Sequence, residues 1–148
     1  YIGELMRQTQ VLIGGEESGG LSIIGHIPEK DGVLADMLVA EAIAYEGKPL
    51  SQIVAEVIAE AGGPLFNHRL DLHLSNDHKA AVISHFKTNP PTAIAGIPVK
   101  EIGLKDGVKL YLEGGSWVLL RPSGTEPLMR VYMETTSQIQ QNAIATEM

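Results

Sequence analysis

Across Gly62-Gly63-Pro64 the spacing of apolar residues changes from the period of a helix to that of a strand, and this divides the chain in two. Before the break, Leu34, Met37, Leu38, Ala42 and Tyr45 recur at i, i+3, i+4, i+8 and i+11. Val39 and Ile43 widen the stripe until the helix is apolar over most of its surface, so it is expected to be well buried. After Gly47-Lys48-Pro49, the residues Leu50, Ile53, Val54, Val57, Ile58 and Ala61 repeat the pattern, and Gly62-Gly63-Pro64 stops it. A second helix is therefore predicted to end near Ala61, with a domain boundary at that point.

From Asn67 onward Leu70, Leu72 and Leu74 alternate with Arg69, Asp71 and His73, the signature of a strand with one buried face. Ser75-Asn76 is placed to cap a short helix carrying Val82, Ile83 and Phe86, which Asn89-Pro90-Pro91 ends. Further strands are predicted over Ile94 to Ile102, with Pro98 pushing it to an edge, and over Lys109 to Glu113 and Trp117 to Leu120, joined by a turn at Gly114-Gly115. A last strand, Met129 to Glu134, turns Met129, Val131 and Met133 inward. The expected fold class is α+β, an antiparallel sheet with helices on one face, preceded by a strand-loop-helix remnant of an α/β domain. The Gln- and Ala-rich tail from Ser137 reads either as a poorly packed last helix or as a frayed end.

The charge balance, 18 acidic against 11 basic residues for a net −7 with no run of Lys or Arg, argues against a nucleic acid or an anionic membrane as partner. A hydrophobic fraction of 44% is enough to bury a core. With no cysteine, disulfide scaffolds, thiolate zinc sites and cysteine nucleophiles are excluded. That absence agrees with a reducing, cytoplasmic location, and neither a membrane-length apolar run nor an export signal is visible. The chain starts at Tyr1 with structure predicted almost at once, as expected of a piece of a longer polypeptide.

Two loops carry chemistry. Val11-Leu12-Ile13 runs into Gly14-Gly15-Glu16-Glu17-Ser18-Gly19-Gly20, where glycines let a backbone approach a ligand, a carboxylate accepts two hydroxyl hydrogen bonds, and Ser18 adds a third group. Vicinal sugar hydroxyls suit this geometry; the same composition also makes an ordinary solvated turn. Downstream, His26 and Lys30 in His-Ile-Pro-Glu-Lys-Asp-Gly are candidates to assist proton transfer or hold an anion, or else are surface residues beside the helix-capping Asp31. The second loop, Arg121-Pro122-Ser123-Gly124-Thr125-Glu126-Pro127, offers a guanidinium fork, two hydroxyls and the backbone N–H groups of Ser123, Gly124 and Thr125. That set can wrap a phosphate, or make a plain hairpin. Glu126 opposes anion binding unless it points away.

Gly-Glu-Glu-Ser-Gly after an apolar strand, Glu-Lys-Asp-Gly before a helix, and about 90 residues later Arg-Pro-Ser-Gly-Thr-Glu-Pro between strands strongly resemble the α-D-phosphohexomutases, the phosphoglucomutase and phosphomannomutase family. The resemblance covers essentially the whole chain. It implies an isomerase of four domains around one cleft: a first with a phosphoserine, a second binding Mg²⁺ through an Asp-Gly-Asp-type loop, a third contacting sugar hydroxyls, and a fourth gripping the substrate phosphate. The roles it implies are sugar binding for Glu16 and Ser18, and phosphate binding for Arg121, Ser123, Gly124 and Thr125. Lys30 matches a basic active-site position of the phosphoglucomutase branch. His26 is displaced from the position directly after Ser-Gly at which some branches carry a catalytic His; there this chain has Gly20.

Glu-Glu-Ser resembles the phosphoglucomutase type and favours glucose phosphates. Neither a phosphoserine loop nor an Asp-Gly-Asp loop occurs in the 148 residues. By the resemblance, Tyr1 to Ala61 is the end of the third domain and Gly62 to Met148 the fourth, with the N-terminal domains of the same polypeptide as partners. Catalytic serine, Mg²⁺ and glucose 1,6-bisphosphate then belong to the parent enzyme, and the chain by itself binds no cofactor and is inactive. The alternatives are a stand-alone sugar-phosphate binding module and a purely structural fragment.

Overall fold

The computed structural model describes residues 2–16 and 19–148, which fall into two compact units divided between Ala61 and Gly62. In the first, helix α1 (Ile2–Gln8) precedes a hairpin of β1 (Ile13–Gly15) and β2 (Leu21–Ile23), paired Ile13 to Ile23 and Gly15 to Leu21. Helices α2 (Gly32–Glu46) and α3 (Leu50–Glu60) follow. Asp31 caps α2 by accepting the Leu34 N–H at 3.0 Å, and Gly47, at φ 63, ends it.

The expected burial of α2 is not what the structure shows. None of its residues is buried; Met37 is 68% and Tyr45 88% exposed. A helix apolar on most sides needs neighbours on most sides, and β1 and β2, of three residues each, cannot cover it.

The second unit is a six-stranded, wholly antiparallel sheet in the order β3-β8-β7-β6-β5-β4, made of β3 (Phe66–His73), β4 (Ala93–Ile94), β5 (Ile97–Gly103), β6 (Val108–Leu112), β7 (Trp117–Pro122) and β8 (Leu128–Thr135). Alternation fixes its two faces. Val108, Leu110, Val118, Val131 and Met133 are at most 1% exposed and form the core with Met129 and Leu120. Helix α4 (Asn76–Thr88), capped by Ser75, connects β3 at one edge to β4 at the other and lays Val82, Ile83 and Phe86 on that core. Helix α5 (Gln138–Glu147) buries Ile144 in the same cluster, so the tail is a packed helix. The α+β class and the one-sided helices are as the sequence predicts.

The strand predicted over Ile94 to Ile102 is instead a hairpin. Ala95 (φ 48) and Gly96 (φ 77) turn the chain back, and Ala93 pairs with Pro98. A turn with both central residues at positive φ suits the strand twist, and Ala95 carries no sequence mark of it. The outer face carries cross-strand pairs: Trp117 Nε1 donates to Glu134 Oε1 at 2.9 Å, and Lys109 Nζ lies 3.8 Å from the Trp117 ring.

Candidate functional site

Each unit presents one of the two chemistry-bearing loops. In the first, the β1–β2 hairpin closes with Glu16 N–H donating to Gly20 O (2.9 Å) and Gly19 N–H to Glu16 O (3.0 Å). Glu17 and Ser18 lie outside the described residues, and with them the expected contribution of Ser18. The structure brings Glu16 and Lys30 together: Lys30 Nζ is 3.5 Å from Glu16 Oε1 and 3.2 Å from Glu29. With Arg7 and Ser22 they line a cavity of about 480 Å³. The Ser22 side chain is buried there, and its Oγ has no partner among the described residues. Gly20 makes the arrangement possible. A Cβ there would stand 3.0 Å from Lys30 Cδ and 3.1 Å from Glu16 Oε2, so the lysine stem lies where a side chain would otherwise be.

Glu29 chiefly, with Glu16, raises the pKa of Lys30 above its ordinary value, so it is an ammonium throughout the neutral range. It can hold an anionic oxygen or donate a hydrogen bond. His26 does not join this cluster; its Nε2 lies 2.9 Å from Asp31 Oδ2. Asp31 is held below its ordinary 3.8, first by the Leu34 N–H and then by His26. A depressed carboxyl stabilises the fold above its unfolded value and loses that contribution as pH falls through the folded one. Hydrogen exchange by NMR is therefore expected to show the Leu34 amide equally protected from neutral pH down to about pH 5, with protection lost only below 3.8. Asp31→Asn, still an acceptor, should remove the step, whereas a transition centred above about pH 4 would contradict this account.

In the second unit the sheet register sets the loop between β7 and β8. Arg121 faces Arg130, which on its other side faces Asp71. Like charges opposed across strands are unfavourable unless answered, and carboxylates answer both. Asp106 Oδ2 accepts Arg121 Nε at 3.0 Å, and Glu126 Oε2 accepts Arg130 Nη2 at 2.5 Å. The Glu126 carboxylate is thus engaged on Arg130. From the helix side Lys79, only 5% exposed, donates from Nζ to Ser123 O and Glu126 O, both at 2.8 Å. Ser123 Oγ accepts the Glu126 N–H.

One member of the expected amide set is corrected: the Ser123 N–H donates to Leu128 O at 2.9 Å, closing the loop, and does not face a ligand. The N–H groups of Gly124 and Thr125 have no partner among the described residues. Both residues line a cavity of about 370 Å³ together with Ser75 and Asn76 at the start of α4. Lys79, Asp106 and Arg130 belong to this site and escape a reading of the sequence. The alternation of β8 places Arg130 on the outer face beside Arg121, but nothing local marks the other two. Among the described residues no three His, Asp or Glu side chains are placed to hold a metal ion, so the Mg²⁺ that the resemblance implies has no ligand set within them. No helix among them is long and apolar enough to cross a membrane.

Comparison with known proteins agrees with this architecture. Residues 1–61 match the sequence model of phosphoglucomutase/phosphomannomutase α/β/α domain III, and residues 74–148 match that of the phosphoglucomutase/phosphomannomutase C-terminal domain. The chain belongs to the phosphoglucomutase/phosphomannomutase family. It is 30% identical to a phosphoglucomutase/phosphomannomutase of Thermococcus kodakarensis over 93% of its length and 27% of that protein. It is 32% identical to a phosphoglucosamine mutase of Clostridioides difficile over its whole length and 29% of that protein. A Thermus thermophilus structure assigned as a phosphomannomutase superposes with a TM-score of 0.70 at 34% identity, over 99% of this chain and 28% of that one. The chain thus spans under a third of the length of these relatives.

Proposed function

We propose that this chain supplies the sugar-hydroxyl and phosphate recognition of a phosphohexomutase that interconverts hexose 1-phosphate and 6-phosphate, glucose phosphates being the preferred substrates. In this reading residues 1–61 end the sugar-binding third domain and residues 62–148 are the phosphate-binding fourth. The observation that carries it is the distribution of charge around residues 121–127. Lys79 and Arg130 hold the Ser123 and Glu126 carbonyls and the Glu126 carboxylate, while the Gly124 and Thr125 amides are left without a partner among the described residues. A loop whose anionic groups are engaged and whose donors are unengaged suits a phosphate.

The reaction then runs through a phosphoserine supplied by the N-terminal domains. Its phosphoryl group passes to the free sugar hydroxyl, the 1,6-bisphosphate reorients, and the other phosphate returns to serine. Glu16, accepting from two adjacent hydroxyls, serves either orientation, because the C3 and C4 hydroxyls nearly exchange in the flip. Lys30 holds an anionic or hydroxyl oxygen beside it. Arg121 and the Gly124 and Thr125 amides anchor whichever phosphate is not reacting, the positioning on which phosphoryl transfer depends.

A second reading, glucosamine phosphates, is favoured by the names of relatives such as the Clostridioides difficile phosphoglucosamine mutase. Assaying the multidomain protein with the 1-phosphates of glucose, mannose and glucosamine decides between them, and the glucose compound is expected to give the highest kcat/KM. The 148-residue chain alone should stay at background rate with the same substrates, 1,6-bisphosphate and Mg²⁺. Binding without turnover by the multidomain protein would instead support a sugar-phosphate binding module.

A further inference from the structure

Lys79, in the first turn of α4, is 5% exposed, and no carboxylate pairs with it among the described residues. A buried ammonium without a counter-ion is costly, and here the carbonyls of Ser123 and Glu126 receive it. Those two bonds fix more than the loop's position. The Ser123–Gly124 peptide is trans, so the C=O of Ser123 and the N–H of Gly124 point in opposite directions across one peptide plane. With the carbonyl drawn onto Lys79 at 2.8 Å, the Gly124 N–H points away from the Lys79 ammonium. The ammonium also polarises that peptide unit and makes its N–H the stronger donor. A Cβ on Gly124 would meet nothing within 4 Å, and its N–H has no partner among the described residues.

We infer that Lys79 is a positioning residue for the anion site: it orients and polarises the Ser123–Gly124 peptide so that the Gly124 amide is aimed at a phosphate, and it supplies an uncompensated positive charge behind the loop. This rests on the phosphate-binding reading of residues 121–127. It adds a buried cation that never touches the ligand and acts through one peptide plane.

The test titrates inorganic phosphate into the ¹⁵N-labelled 148-residue chain and follows the Gly124 and Thr125 amides and the Lys79 ¹⁵Nζ signal by NMR. The wild type is expected to show a saturable downfield movement of the Gly124 amide. The Lys79 Nζ signal, sharpened by burial, should move with the same half-saturation. Lys79→Met, which keeps the stem, should weaken phosphate binding about tenfold and shift the Gly124 amide before any phosphate is added. Arg121→Ala should weaken binding and leave the phosphate-free Gly124 shift in place. Full phosphate affinity in a folded Lys79→Met, with binding lost in Arg121→Ala, overturns the role of Lys79 and leaves the phosphate loop standing. Should Lys79→Met not fold, the wild type decides, since a Lys79 Nζ signal that stays still at saturating phosphate overturns the inference equally. No saturable movement in the wild type removes the phosphate-loop reading and the role of Lys79 with it.

Discussion

Arg121→Ala in the multidomain enzyme is expected to lower kcat/KM for the hexose phosphate about a hundredfold. A charge-assisted hydrogen bond contributes roughly 1.5 to 3 kcal/mol, and a guanidinium that grips phosphate bidentately makes two, so the loss is about 3 kcal/mol at the lower figure. Asp106 takes Nε at 3.0 Å, and the terminal nitrogens, which have no partner among the described residues, are open to a phosphate. Arg121→Lys should recover only part of the rate, because a point charge cannot reproduce the planar fork. Stability should hardly move. The Arg121 and Asp106 side chains are 47% and 45% exposed, and such surface pairs are worth at most about 1 kcal/mol. Steady-state kinetics beside thermal melts check this: near wild-type efficiency in Arg121→Ala, or loss only through unfolding, means the loop is an ordinary hairpin.

Gly107→Ala is expected to destabilise the second unit by roughly 3 kcal/mol or more, the largest stability effect anticipated for a single methyl group here. Gly107 has φ 109, where a side chain is strained, and an added Cβ would stand 2.1 Å from Leu120 O and 3.2 Å from Arg121 Cα. Those atoms are backbone and cannot rotate away. Relief requires β6 and β7 to part, which displaces the residue proposed to hold phosphate, so Gly107→Ala should lose phosphate affinity as well as stability. Gly124→Ala is the control: nothing lies within 4 Å of its Cβ, so its urea midpoint should stay near wild type. A Gly107→Ala chain as stable as the Gly124→Ala chain would show that the two strands do not approach as described.

Periodicity makes much of the second unit legible. The alternation of Leu70 and Leu72, and of Met129, Val131 and Met133, predicts β3 and β8 with the right faces, and Ser75 caps α4 as its position suggests. Two departures share a cause. The Ala95-Gly96 turn lies inside an apolar run without a turn dipeptide, and α2 reads as buried from its own composition; both depend on what packs alongside, and local sequence does not record that.

The candidate site divides the same way. Arg121, Gly124 and Thr125 can be read from the loop itself, because contiguous residues of the right chemistry form a motif. That the Ser123 amide is spent on Leu128 and that Glu126 is turned onto Arg130 follow from how the β7–β8 hairpin closes, and that Lys79 reaches under the loop was decided only by tertiary structure. Lys79 lies 44 and 47 residues from its two partners, and its contact exists because α4 crosses the sheet from β3 to β4 with its first turn beside the β7–β8 loop. A sequence states which donors and charges a segment owns. Which of them are consumed internally depends on hydrogen bonds closed across the fold, where burying an unpaired polar group costs more than any local preference can offset.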